Sequence, residues 1–381
     1  MPVKQYRFSI YFMQLRTRPI LIGLALALCG VCIAFVLIAR LFYVSPWGVR
    51  NYLRTHPEDV AIACLDPRIP EQGFYHNADE AYPLASTFKV ALLAAYAQEV
   101  AAGRLDSEEA IPFSALEAWH LPGTDGGAHP EFLKSLGEGR STATLDEVVE
   151  GMITYSSNAA TDYLLSRLSG VDFDDLYRRL RLEHTTRPFS ILGLYLAMNN
   201  HERGAVKVNE IAPGSLPAAQ ANYEQAFITD PAWRQAELDY AANINNFAPL
   251  NTQKWFLGVY GMGGSARDLA KIMQAAYGYT DALSPEAQAV MRRHLEWPLR
   301  LNPANGNDFK ILATKSGAWP AILTSAWYAE TLQGEPRVLV VLYANVRDDY
   351  WNTWLVTFAH QEFEADILKK ADCSVFTEIF K

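Results

Sequence analysis

Hydrophobic and polar positions divide the chain into stretches of different character. From Pro19 to Ala39 no charged residue appears; as a helix this run would span roughly 30 Å, enough to cross a bilayer core. Lys4, Arg7, Arg16 and Arg18 precede it with no acidic residue, which places the N-terminus in the cytoplasm by the positive-inside rule. The exit Leu37-Ile38-Ala39-Arg40-Leu41-Phe42 offers no small-x-small cleavage site, and bulky Leu28 before Cys29 argues against a lipoprotein box. The pattern therefore predicts a cytoplasmic tail over 1–18 and an uncleaved transmembrane signal anchor over 19–43. Everything beyond about residue 45 would then lie outside the cytoplasm, on the periplasmic side of the inner membrane, with the bilayer held through residues 19–39.

Beyond the anchor, Asp59–Asp66 alternates like a strand, and Gly73–Tyr82 could pair with it as a hairpin. A helical middle follows. Ser86–Ala102 is rich in Ala and Leu and stops at Gly103. Thr144-Leu145-Asp146-Glu147 is a capping box opening a helix that runs to about Tyr155, and Asn158–Leu168 reads as another. Ser265 opens one that ends near Gly278, and Ser284-Pro285 starts one more. The period then changes: Phe309–Ala318, Ile322–Glu330 and Arg337–Val346 are β-rich runs joined by short turns, and a final helix covers about Tyr350–Lys370. Strands at both ends with helices between them predict an α+β fold. One antiparallel sheet would be built from both chain ends, covered by helices, with a helical subdomain at about 86–300.

Composition narrows the function. The 381 residues carry a net charge of −9 without long acidic or basic blocks, which argues against nucleic acid as a partner. Cys29 and Cys32 sit inside the apolar run, where metal or redox work is improbable. Cys64 and Cys373 would lie in an oxidising compartment, which leaves a disulfide between them open. There is no G-x-S-x-G, H-E-x-x-H or Walker A pattern, and the eight histidines are scattered as on an ordinary surface. No metal and no cofactor is expected.

Three short motifs carry the chemistry. Ser86-Thr87-Phe88-Lys89 places a hydroxyl and an amine on one helical face at a helix start, where the positive helix end would favour an oxyanion. A lysine can serve as base to a serine when burial or a neighbouring cation lowers its pKa. Tyr155-Ser156-Ser157-Asn158 falls between two helices, and Lys315-Ser316-Gly317 falls on a late strand. Each alone is also an ordinary cap, turn or edge strand. Their order and placement together resemble the S-x-x-K, S-D-N, K-T-G set of class A β-lactamases and penicillin-binding proteins. The likeness extends to Thr144–Leu165, Ser265–Tyr277 and Lys315–Glu330, and covers roughly 50–372.

The resemblance implies a β-lactamase/transpeptidase-like fold and a monomeric ectodomain. Ser86 would form the acyl-enzyme, Lys89 would act as base or as part of the base network, and Ser156 would relay a proton to the departing nitrogen. Asn158 would bind the substrate's side-chain amide, Lys315 and Ser316 its carboxylate. The backbone N–H groups of Ser86 and of Ala318, after Gly317, would form the oxyanion hole. One departure from the family bears on function. The stretch His184–Asn200, where class A enzymes carry a deacylating glutamate, has no Asp or Glu, and an insertion-like segment follows over about 200–264. Glu183, Glu202 and Glu210 flank the gap, and Glu202 is the candidate substitute. The preferred reading is a β-lactam-hydrolysing serine enzyme. The alternatives are a membrane-anchored DD-carboxypeptidase or transpeptidase acting on D-Ala-D-Ala peptides of peptidoglycan, and a non-catalytic β-lactam or muropeptide sensor or scaffold.

Overall fold

Side chains on successive residues of a strand point to opposite faces, so a run that is apolar throughout demands cover on both sides. The computed structural model, which describes residues 44–207 and 215–381 together with Leu28, Gly30 and Val31, meets that demand with one five-stranded sheet. Its strands are β1 (Val60–Leu65), β2 (Phe74–His76), β3 (Phe309–Trp319), β4 (Ile322–Thr331) and β5 (Pro336–Tyr343), in the spatial order β2-β1-β5-β4-β3. All pairings are antiparallel. Both chain ends supply the sheet: Val60 of β1 is opposite Tyr343 of β5.

The alternation sorts residues into two cores. Ala61, Ala63, Val340 and Ala326 face one side, packed under the helices Lys89–Ala101, Ala266–Ala276 and Pro285–Leu295. Ile62, Cys64, Val341 and Trp327 face the other, packed under Pro46–Thr55, Ala359–Lys370 and Ser374–Ile379. A disulfide joins Cys64 to Cys373 and ties the centre of the sheet to the end of the chain.

Local signals in the sequence act where they stand. Thr144 and Glu147 form the reciprocal capping box, Ser265 accepts from Asp268 N, and Ser284 accepts from Ala287 N. The segment after residue 200 carries helices Leu216–Thr229, Pro231–Ala241 and Leu250–Tyr260, and a small separate core of Leu121, Leu192, Leu196 and Phe227 lies beneath it. Two elements differ from the sequence pattern. The helix expected over Tyr350–Lys370 is broken at Phe358, whose φ of 57° is left-handed, into Asp348–Thr357 and Ala359–Lys370. A helix, Pro46–Thr55, fills the stretch before β1, where the sequence pattern predicts no element.

The membrane anchor is corrected. Most of 19–43 and all of 1–18 lie outside the described residues, as does Glu210. Among the described residues no helix is long and apolar enough to cross a membrane. The transmembrane element of the expected fold, the bilayer contact through 19–39 and the single-pass inner-membrane location are therefore withdrawn.

Candidate active site

The segment leading to Ser86 is fixed before the helix begins. Tyr82–Pro83 pairs with Gly263–Gly264, and Leu84 N donates to Met262 O at 2.8 Å. Leu84 O in turn accepts from Thr87 Oγ1 at 2.6 Å and from Thr324 Oγ1 at 2.8 Å. Ala85 is left-handed, with φ of 44°, a conformation that costs a residue with a Cβ about 1 kcal/mol or more. Ser86 follows on a single 3-10 turn, Ala85–Phe88, that runs into the Lys89–Ala101 helix.

β3 forms the opposite wall. It is an edge strand, and its free side runs past the start of that helix. A Cβ on Gly317 would lie 2.4 Å from Ser86 N and 2.6 Å from Thr324 Oγ1. Glycine is therefore required because the strand touches the backbone of the Ser86 turn itself.

Lys89 and Lys315 meet at one hydroxyl. Lys89 is fully buried, and its Nζ donates to Ser156 O at 2.7 Å, Ser156 Oγ at 3.2 Å and Asn158 Oδ1 at 3.1 Å. Lys315, 3% exposed, donates to the same Ser156 Oγ at 3.1 Å and to Ser316 O at 2.7 Å. Burial pushes Lys89 down to about 7, against the opposing pull of Asp125 and Asp162. Burial, and then the charge of Lys89, holds Lys315 well below the ordinary lysine range. Two buried ammonium groups bridged by one hydroxyl favour losing a proton.

Ser156 is presented by an unusual turn. The helix Leu145–Glu150 widens into a π-turn over Gly151–Tyr155, and Ser156 then takes a left-handed φ of 70°. Ser157 caps the next helix through Ala160 N, and Asn158 opens it. Asn158 Nδ2 donates to Thr124 O at 3.0 Å, so the loop before residue 128 fixes the amide's orientation.

A cavity of about 580 Å³ brings Ser86, Ser156, Asn158, Ser316, Gly317 and Ala318 together. Glu202 is not among the residues lining it: that side chain is exposed and accepts from Trp233 Nε1 at 2.9 Å. Glu183 is likewise not among them, and Glu210 lies outside the described residues. Among the described residues the one carboxylate lining the cavity is Asp125, and it already accepts from Gly127 N at 3.1 Å and His129 N at 3.1 Å.

Asp162 went unnoticed in the sequence. It is 1% exposed, accepts from Ile191 N at 2.9 Å and Leu192 N at 2.7 Å, and fixes the start of the helix Ile191–Met198, whose Tyr195 lines the cavity. Burial raises its carboxyl to about 7. Its spacing of four from Asn158, as the one charged residue among the helix's buried positions, is the signal that could have found it.

A model of the β-lactamase enzyme family matches residues 48–357. No curated protein matches the chain. Among solved structures, a β-lactamase from Sphaerobacter thermophilus is 18% identical, with a TM-score of 0.52 over 84% of this chain and 97% of that one. A reconstructed last common ancestor of Gram-negative class A β-lactamases is 16% identical, with a TM-score of 0.52 over 84% and 98%. A β-lactamase from Chitinophaga pinensis is 15% identical, with a TM-score of 0.50 over 84% and 99%. At such identities the likeness is one of fold.

Proposed function

The chain belongs to the β-lactamase enzyme family, and from that premise we propose that it is a serine hydrolase acylated at Ser86 by the carbonyl of a β-lactam amide. The observation that carries this reading is the position of Ser156 Oγ, 3.2 Å from Lys89 Nζ and 3.1 Å from Lys315 Nζ. All three protons of a charged Lys89 are engaged by Ser156 and Asn158. Loss of one frees a lone pair, and the depressed pKa makes that loss available near neutrality. The lone pair takes the proton of Ser86 Oγ as the oxygen attacks. The N–H groups of Ser86 and Ala318 receive the oxyanion, aided by the helix start. Ser156 then passes a proton to the leaving nitrogen. Lys315 and Ser316 hold the substrate carboxylate, and Asn158 its side-chain amide.

A second reading is favoured by Asp125. Because this carboxylate is already engaged by backbone N–H groups, no free carboxylate among the described residues lining the cavity is left to activate a deacylating water. A DD-peptidase acting on D-alanyl peptides fits that arrangement, since the departing D-alanine vacates space for water, whereas the leaving nitrogen of an opened β-lactam stays tethered to the acyl group.

Intact-protein mass followed over time after adding a penicillin, with Ser86→Ala as control, tests both. An adduct that needs Ser86 and clears as the drug is consumed supports the β-lactam hydrolase. One that persists for hours supports the peptidase. No adduct and no drug loss would remove both in favour of a non-catalytic scaffold.

A further inference from the structure

The histidines are not scattered over the surface: His129, His294 and His360 are all buried. His129 has the least ordinary environment. It is the second residue of the helix Ala128–Ser135, and its Nδ1 lies 2.9 Å from Ser157 Oγ, directly behind the turn that presents Ser156 and Asn158. Its Nε2 is buried with no hydrogen-bond partner among the described residues. Either tautomer leaves that atom wanting: an N–H without a well-aligned acceptor, or a lone pair without a donor.

Two other donors converge on the same point. Glu117 Oε1 lies 3.5 Å from His129 Nε2, and Glu117 Oε2 lies 3.3 Å from His120 Nδ1. The ligand atoms of all three residues fall within 4.8 Å of one another. On a tetrahedral zinc ion with bonds near 2.0–2.1 Å, two ligand atoms stand about 3.3 Å apart. We propose that Glu117, His120 and His129 bind one divalent transition-metal ion of the zinc class.

The donor set fits that chemistry. Two imidazoles and one carboxylate suit zinc-like ions rather than calcium or magnesium, which prefer all-oxygen shells. The Glu117 side chain is 47% exposed, so the fourth position opens to solvent and gives the ion a way in. The ring nitrogen of His129 opposite the ion has Ser157 Oγ as its partner, the outer contact that fixes a ligand's tautomer.

The placement gives the ion a task. Glu117 ends a short helix and His129 begins the next, and the loop between them carries Thr124 and Asp125 to the cavity wall. Metal would clamp both ends of that loop, and through Thr124 O and Asp125 it would steady Asn158.

The test uses the untagged full chain, stripped with a chelator and titrated with zinc chloride by calorimetry. Cobalt chloride serves as a parallel probe through its visible d–d absorption. The wild type should bind one equivalent at this site, with a cobalt band of low coordination number. His120→Ala and Glu117→Gln should each weaken binding at least about tenfold, and Ser157→Ala about 10-fold or more through the outer contact. Circular dichroism confirms that each variant is folded. No binding by the wild type, or binding unchanged in both His120→Ala and Glu117→Gln, would overturn the proposal. The readout does not depend on whether Ser86 is acylated.

Discussion

On one face of the sheet, Ala61, Ala63 and Ala326 pack beneath the Lys89–Ala101 helix, and that layer buries Lys89. On the opposite face, Ile62, Cys64 and Trp327 pack beneath Ala359–Lys370, and that layer buries Glu364. Both groups are fully buried, and burial moves both to about 7 from opposite directions. Their surroundings differ. Lys89 bonds to Ser156 and Asn158, which line the cavity; Glu364 accepts from Ser325 Oγ at 2.6 Å and Trp327 Nε1 at 2.8 Å and does not line it. A perturbed pKa is thus no sign of chemistry by itself. It becomes one where the group reaches an opening that a substrate can enter.

The sharpest way to break this contrast is to remove each charge in turn. Lys89→Ala should lower the rate of Ser86 acylation about 10²–10⁴-fold, read by stopped-flow or intact mass with a penicillin. Glu364→Gln should leave that rate within about twofold, and a comparable loss in both variants would erase the distinction between the faces. The next largest effect belongs to the face with the chain ends. Cys373→Ser should cost about 2–5 kcal/mol of stability in urea denaturation, with acylation by the folded variant unchanged.

Glu364 itself should show in the pH dependence of stability. Its folded pKa is raised above the unfolded value, so folding is favoured below the unfolded pKa and loses stability as pH rises from about 4.5 to about 7. Glu364→Gln should remove that slope, a difference on the order of 2–3 kcal/mol between pH 5 and pH 8. The smallest effect is kinetic. As the proposed base Lys89 has to be neutral, so acylation should rise with pH to a plateau above about 7, falling roughly tenfold per unit below it. That limb should stay where it is in Glu364→Gln.

Much of this contrast was legible in the chain, because local signals produced it. The caps at Thr144, Ser265 and Ser284 mark helix starts by short-range hydrogen bonds, and the change from helical to strand period marks the sheet. Ser86, Lys89, Ser156 and Lys315 were singled out because three motifs occur in order, and the fold sets Ser156 between the two lysines. What escaped depends on contacts between distant segments. Gly317 is needed because of Ser86 N, a neighbour set by tertiary packing. His129 looks like any histidine until Ser157 and Glu117 close around it. Glu202 drew attention through its position near a gap, yet the fold turns it towards Trp233. Phe358 breaks a helix with a left-handed residue that no glycine or proline announced.

The union of both chain ends in one sheet has a consequence for how the protein is made. Strand β1 is translated early, and all six of its residues are buried in the finished fold, but its long neighbour β5 and the partner of Cys64 come much later, the cysteine 309 residues on. At roughly 5–20 residues per second, a ribosome needs roughly 15–60 s to reach that point. Throughout this interval a sticky apolar segment and a reactive thiol wait without their mates. Yield in a host cell will therefore be governed by how well helper proteins shield the nascent chain, and slowing aggregation should rescue more product than strengthening the completed sheet.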